Sequence, residues 1–271
     1  MRRLFLPVMI GLSAFLGASC GKQRSEETVW PAKAVAQSMH HLALHWHLAY
    51  LSISGQATAI LPAGIRVVWT DSTLADWDGM EFYIDFGKRS KTKPFGVLCR
   101  DGYYRSGKYR ASLSGDSWTA GLYMALTMTE RDSCTLSNGT NSYRFVGRMH
   151  LEAGQEQRAS LEAAVQEFTP QGNTRFEADV TVQFAENTGS GLPDYQLNGN
   201  GSLRNDQWQM LWNTKGLQGN PESKGAFTVG EVAVIGAEQQ MRIDFDPYGN
   251  QAADKWIKVW RGQREFLFEL D

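Results

Sequence analysis

The sequence predicts an all-β fold: an antiparallel meander, closed as a sandwich or barrel or left as an open curved sheet, with one N-terminal helix. Three observations carry this. Short segments of alternating apolar and polar residues run from residue 51 to residue 271. Clusters of Gly, Asn, Asp, Ser and Pro separate them at the spacing of hairpin turns. The one long run of helical periodicity without Gly or Pro, residues 32–50, precedes them all.

Residues 1–19 read as an export signal. Arg2 and Arg3 precede an apolar run from Leu4 to Leu16, which is too short to span a bilayer. The run ends in Leu16-Gly17-Ala18-Ser19-Cys20, where small residues before a cysteine resemble a bacterial lipobox. That resemblance implies cleavage before Cys20 and acylation at Cys20, with the membrane as partner through a lipid anchor. Gly21 after the cysteine points to the outer membrane, with either face open. The competing reading is an ordinary secretory cut after Ser19. Residues 20–30 then form a polar tether with Lys22, Arg24, Glu26 and Glu27.

Residues 31–50 form the predicted helix. Pro31 suits its first turn. Val35, Met39, Leu42, Trp46 and Ala49 recur at steps of three and four and would share one face. Residues 51–271 form a single β domain. Its predicted strands are 52–61, 65–69, 81–86, 103–113, 122–129, 143–151, 175–184, 195–203, 208–212, 226–233, 241–245, 256–260 and 265–270. Asn138-Gly139, Asn198-Gly199-Asn200-Gly201 and Arg261-Gly262-Gln263 are the predicted turns.

The chain holds 27 basic and 29 acidic residues, a net charge of −2, which gives no reason to expect nucleic acid as partner. With Cys20 taken by lipid, Cys99 and Cys134 remain. In an oxidising compartment such a pair commonly forms a disulfide, here contributing about 3–4 kcal/mol. The alternative is two separate buried thiols.

Two segments resemble a pattern in uncharacterised lipoproteins of Bacteroidota. The first is Ile84-Asp85-Phe86-Gly87, then Cys99-Arg100-Asp101-Gly102 and Arg105-Ser106-Gly107-Lys108. The second is Asp244 to Asn250 with Ala253-Asp254, followed by Ile257, Val259 and Gly262. That pattern carries a cysteine where this chain has Ala253. The resemblance implies an exported all-β lipoprotein and assigns no activity.

Candidate chemistry is sparse. His40, His41, His45 and His47 surround Trp46. His41 and His45 are one turn apart and could share a metal ion, with His150 the nearest further ligand, but no His-Glu-x-x-His pattern supports this. A polar helix face that touches solvent or the rim of the sheet is the simpler expectation, and no cofactor is expected. Asp244, Asp246, Asn250 and Asp254 collect oxygen donors, yet Tyr248 and Lys255 break the EF-hand spacing, so a turn is favoured. Trp256 and Trp260 share a strand face with Lys258 and could stack on a sugar, although core packing is the commoner use of tryptophan. A hydrolase pair would be Asp85 and Asp101, although turn and strand-end roles are the favoured reading of both. No nucleophile elbow or phosphate loop occurs. The leading expectation is a non-enzymatic envelope lipoprotein that binds or scaffolds an envelope protein or glycan. A glycan-binding module using the tryptophans of the β region (Trp69, Trp77, Trp118, Trp208, Trp212, Trp256 and Trp260) and a carboxylate-pair hydrolase are the alternatives.

Overall fold

The computed structural model describes residues 29–71, 78–115, 123–154, 157–169, 172–185, 194–220, 227–237, 239–250 and 255–271. Cys20, Trp77, Trp118, Ala253 and Asp254 lie outside these residues, so the signal, the lipid site and most of the tether do as well.

Helix α1 spans Trp30–Ile53. Pro31 sits in its first turn, where the missing N–H has no intrahelical acceptor to lose. The predicted strand at 52–61 does not form. Ser52 Oγ donates to the Leu48 carbonyl (2.6 Å), the Ser54 N–H bonds to Tyr50 O, and a short 3₁₀ turn, Ala57–Ala59, follows. This stretch therefore completes and closes the helix.

Sixteen strands follow: β1 Val67–Asp71, β2 Asp78–Asp85, β3 Val97–Leu98, β4 Tyr104–Ser106, β5 Lys108–Ser114, β6 Tyr123–Met128, β7 Thr135–Ser137 and β8 Ser142–Ala153; then β9 Arg158–Thr169, β10 Gly172–Phe184, β11 Tyr195–Arg204, β12 Gln209–Gly219, β13 Glu231–Ile235, β14 Gln240–Asp244, β15 Trp256–Arg261 and β16 Arg264–Glu269. All join one antiparallel sheet in the order β1-β2-β5-β6-β8-β9-β10-β11-β12-β13-β14-β15-β16, with β3, β4 and β7 forming a small flap beside β8. Among the described residues no pairing joins β1 to β16, so the sheet is open rather than a closed barrel.

The sheet curls around α1. Neighbouring helical residues point in different directions, yet each meets a strand or its flank: His40 meets Tyr103, His41 meets Glu167 of β9, and His47 meets Tyr195 of β11. Lys33, nearer the helix start, lies over Phe268 of β16. The helix is buried all round rather than along one stripe, which corrects the amphipathic expectation. Small residues in the sheet let it approach. Ala163, Ala178 and Gly201 face one another across β9, β10 and β11, and Trp212 completes the row on β12. Any Cβ at Gly201 would lie 2.4 Å from the Trp212 ring. The ring uses that space to stack on Phe176, with planes 5° apart. For this reason the Asn-Gly-Asn-Gly segment is the interior of β11 and not the predicted turn. Gly262-Gln263, by contrast, is a two-residue hairpin joining Arg261 to Arg264.

The disulfide expectation is also corrected, because Cys99 and Cys134 are both free and buried. Cys99 directly follows β3 and Cys134 directly precedes β7, and β4 lies between those strands. Two strand spacings alone set them about 9–10 Å apart across the sheet, and the pairing of Cys99 with Tyr103 and of Thr135 with Ser106 offsets them further along β4, so their α-carbons lie beyond the roughly 7 Å that a disulfide tolerates. Burial pushes both thiols up, Cys134 to about 12. Cys134 Sγ contacts the Lys108 carbonyl at 3.0 Å.

Candidate functional site

The residues that carry the Bacteroidota-like pattern build structure. Asp101 forks onto Arg105, with Nη1 donating to Oδ1 (2.9 Å) and Nη2 to Oδ2 (2.6 Å). Arg105 is wholly buried under the helix, and the carboxylate raises its already high pKa against the opposing effect of burial. Gly107 lets the chain turn from β4 into β5 against the flap, since a Cβ there would lie 2.3 Å from the Asp132 carbonyl. Asp85 accepts the Gly87 N–H (2.8 Å) and lies 3.8 Å from Lys108. Each member of the predicted carboxylate pair is thus engaged in its own separate ion pair. The Asp244–Asn250 segment is a turn: Asp244 Oδ1 accepts the Asp246 N–H and Asp246 Oδ1 accepts the Asn250 N–H.

Trp256 and Trp260 lie half-buried on the outer face of β15, while Ile257 and Val259 are buried beneath. The Arg242 guanidinium lies 4.2 Å from the Trp260 ring centroid, covering one face of that platform. His150 bonds to Tyr123 and alternates with the buried Met149 and Leu151, which puts it on the face of β8 away from the helix and from His41 and His45. Among the described residues no group of three or more His, Cys, Asp and Glu side chains is placed to hold a metal ion.

The four helical histidines are buried, not part of a solvated polar face. His40 Nε2 meets the Tyr103 hydroxyl (2.6 Å), and His47 Nε2 meets the Tyr195 hydroxyl (2.7 Å). His45 sits against the Phe145 and Tyr109 rings, and neither of its ring nitrogens has a hydrogen-bond partner among the described residues. A void of about 10 Å³ lies against it, lined also by His41, Ser38, Met149 and Glu167. Burial holds His40, His45 and His47 below the ordinary imidazole range, His47 down to about 3.

Outward of that void, the start of α1 meets the sheet in a cleft of about 80 Å³. Trp30 and Lys33 from the helix, Tyr143 from β8, Glu167 from β9, Trp208 from the turn before β12, and Asp271 line it. Glu167 is the inner wall. Its Oε2 accepts Ser38 Oγ–H (2.9 Å), and its Oε1 meets His41 Nδ1 (2.6 Å). Gln37 fixes the tautomer. Its Nε2 lies 2.8 Å from His41 Nε2 and donates to Asp271 O (2.9 Å), while its Oε1 accepts the Asp271 N–H (2.8 Å). An amide nitrogen only donates, so His41 Nε2 accepts and Nδ1–H donates to Glu167. The Asp271 carboxylate takes donors from Asn138, Asn141 and Tyr143. Burial, and then this bond to Asp271, raise the Tyr143 pKa, so its hydroxyl keeps its proton and donates.

Ser, His and carboxylate are all here, but in an order unsuited to nucleophilic catalysis. A triad places histidine between the hydroxyl and the carboxylate, so that the base receives the proton. Here Glu167 lies between Ser38 and His41, and the serine proton is committed to a carboxylate. The arrangement holds the helix to the sheet and presents a finished polar wall to the cleft. Gln37, Ser38, Tyr143, Glu167 and Asp271 were not singled out from the sequence; the histidine cluster, and Trp208 as one of the tryptophans of the β region, marked this region. Comparison with family models, with curated proteins and with solved structures gave no match.

Proposed function

We propose that this chain is a lipoprotein held to the outer membrane through Cys20 and that it binds, without transforming, a glycan of the cell envelope in the cleft at the start of α1. The resemblance to Bacteroidota lipoproteins and the lipobox-like Leu16–Cys20 stretch support the anchor. One observation carries the binding role: Trp30 and Trp208 line the same cleft, above a floor of amide and hydroxyl groups. Trp30 is 44% exposed. Aromatic rings that flank planar hydrogen-bonding groups are the chemistry that recognises a sugar ring, its apolar face stacking and its hydroxyls bonding. The carboxylates beside them are taken up by Ser38, His41, Asn138, Asn141 and Tyr143, which favours binding over hydrolysis.

The anchor predicts that labelled fatty acid enters the wild-type chain and not Cys20→Ala; label persisting in the variant refutes it. The cleft predicts quenching or enhancement of tryptophan fluorescence by purified cell-wall oligosaccharides. Trp208→Ala should weaken that affinity about tenfold, the loss of one stacked ring. Unchanged fluorescence across a panel of neutral and amino sugars would sink the glycan assignment, and hydrolysis of any of them that ceases in Glu167→Gln would replace binding with catalysis.

A further inference from the structure

A second groove lies on the outer side of the same rim, and its chemistry is the opposite of the cleft's. Lys88, Arg89 and Arg144 line it together with the hydroxyls of Ser106, Thr135 and Ser142, and among the described residues no carboxylate does. It encloses about 390 Å³. Its geometry is held in place. The Arg144 guanidinium lies 4.1 Å from the centroid of the Phe168 ring, which fixes its plane and leaves its N–H edges free to donate. An Arg89 Nη2 donates to Ser142 Oγ. Ser106 and Thr135 share a hydrogen bond of 2.6 Å across the floor. The nearby carboxylate of Asp132 is already held by Arg110 and Thr129. The loop that supplies Lys88 and Arg89 continues with Lys91 and Lys93, and residues 87–94 are all exposed. Four cations within six positions stand out in a chain of net charge −2.

The groove's place in the fold indicates its partner. Ser142 and Arg144 flank Tyr143, and Phe168 precedes Thr169; Tyr143 and Thr169 line the inner cleft beside Trp30 and Lys33. The cations therefore sit on the rim where α1 begins, the end that the tether enters. From Cys20 to Val29 is nine residues, which reach at most about 30 Å. A chain anchored at Cys20 holds this rim within that distance of the lipid headgroups.

We propose that the groove formed by Lys88, Arg89 and Arg144 binds the phosphate groups of anionic membrane lipids and so seats the anchored rim against the bilayer. Guanidinium forks and hydroxyl donors match phosphate oxygens, and a cluster of Lys and Arg adds attraction to an anionic surface that salt screens. The placement rests on the lipid-anchor reading; the chemistry of the groove does not. The test therefore uses the mature chain with Cys20→Ser, which carries no acyl group, and so separates the two. It should co-sediment with phosphatidylglycerol-containing vesicles at low salt, release at high salt, and ignore phosphatidylcholine vesicles. The pair Lys88→Glu and Arg89→Glu should weaken binding by about tenfold or more with the thermal transition unchanged. Charge reversal of Lys215 on β12 should leave it intact. Equal binding to both vesicle types, no binding to either, or an undiminished affinity in the double variant overturns the proposal. So does tight calorimetric binding of inorganic phosphate without vesicle binding, which would assign the groove to a free phosphate compound instead.

Discussion

Lowering the pH from 7 to 5 is expected to remove a large part of the folding stability, and the buried histidines of α1 are the cause. His40, His45 and His47 are all held below their unfolded value of about 6.5, chiefly by burial. A depressed folded-state pKa means that the unfolded chain binds more protons in the window below 6.5. Stability therefore rises with pH there, is complete above 6.5, and drains away as pH falls towards the folded values, about 3 for His47. Each histidine contributes a slope of up to about 1.4 kcal/mol per pH unit, so three give about 4. Over the window from 6.5 to 5 this reaches about 6 kcal/mol at most, a large share of a domain stability of about 5–15 kcal/mol. Urea midpoints measured from pH 8 to pH 5 should be flat above 7 and fall steeply below 6.5; a flat profile to pH 5 contradicts the argument. His45→Leu isolates the mechanism. Its imidazole has no partner to leave behind, so the variant should be more stable by about 1–3 kcal/mol at pH 7 and should lose one proton from the slope.

Asp101→Ala is expected to destabilise the protein by about 3–5 kcal/mol, because it leaves the guanidinium of Arg105 buried and unpaired. The Asp101 side chain also accepts the Tyr103 N–H at 3.1 Å, so the turn into β4 loosens with it. If the charge pair itself is the cause, Asp101→Leu combined with Arg105→Met should recover much of the loss, since neither partner is then stranded. Chemical denaturation of the single and double variants decides this. A double variant no better than Asp101→Ala would place the loss in the turn rather than in the ion pair.

The meander was legible in the sequence wherever apolar alternation was strong. Residues 175–184 and 256–260 read as strands and are strands, within β10 and β15. The twelve-residue β9 was not read as a strand, because its inward positions include Ala159 and Ala163, which carry little hydrophobic signal. Those small residues are what a sheet needs when a helix lies directly against it. The helix was legible in extent and not in orientation. Val35, Met39, Leu42, Trp46 and Ala49 suggested a single buried face, and the histidines suggested a wet one. Nothing near them in the chain announces that Tyr103, Glu167 and Tyr195 will meet them. The cleft was invisible for the same reason, since its lining is drawn from the helix, three stretches of the sheet and Asp271. Cys99 and Cys134 misled because compartment chemistry suggests a pair without saying which strand will come between.

The wrapping of the sheet round α1 also sets the order in which the chain can fold. The polar groups of the helix find their partners far along the sequence: Ser38 at Glu167, 129 residues on, His47 at Tyr195, 148 residues on, and Gln37 at Asp271, 234 residues on. Until those partners arrive, burying the helix would strand its imidazoles and its amide without hydrogen bonds, at a penalty of about 1–3 kcal/mol for each group. The helix is thus the first element among the described residues and the last that can be safely enclosed. Such long-range contacts place the protein among slow folders. They also leave the last latch to Asp271, beyond β16, which bonds to Gln37 near the start of the helix.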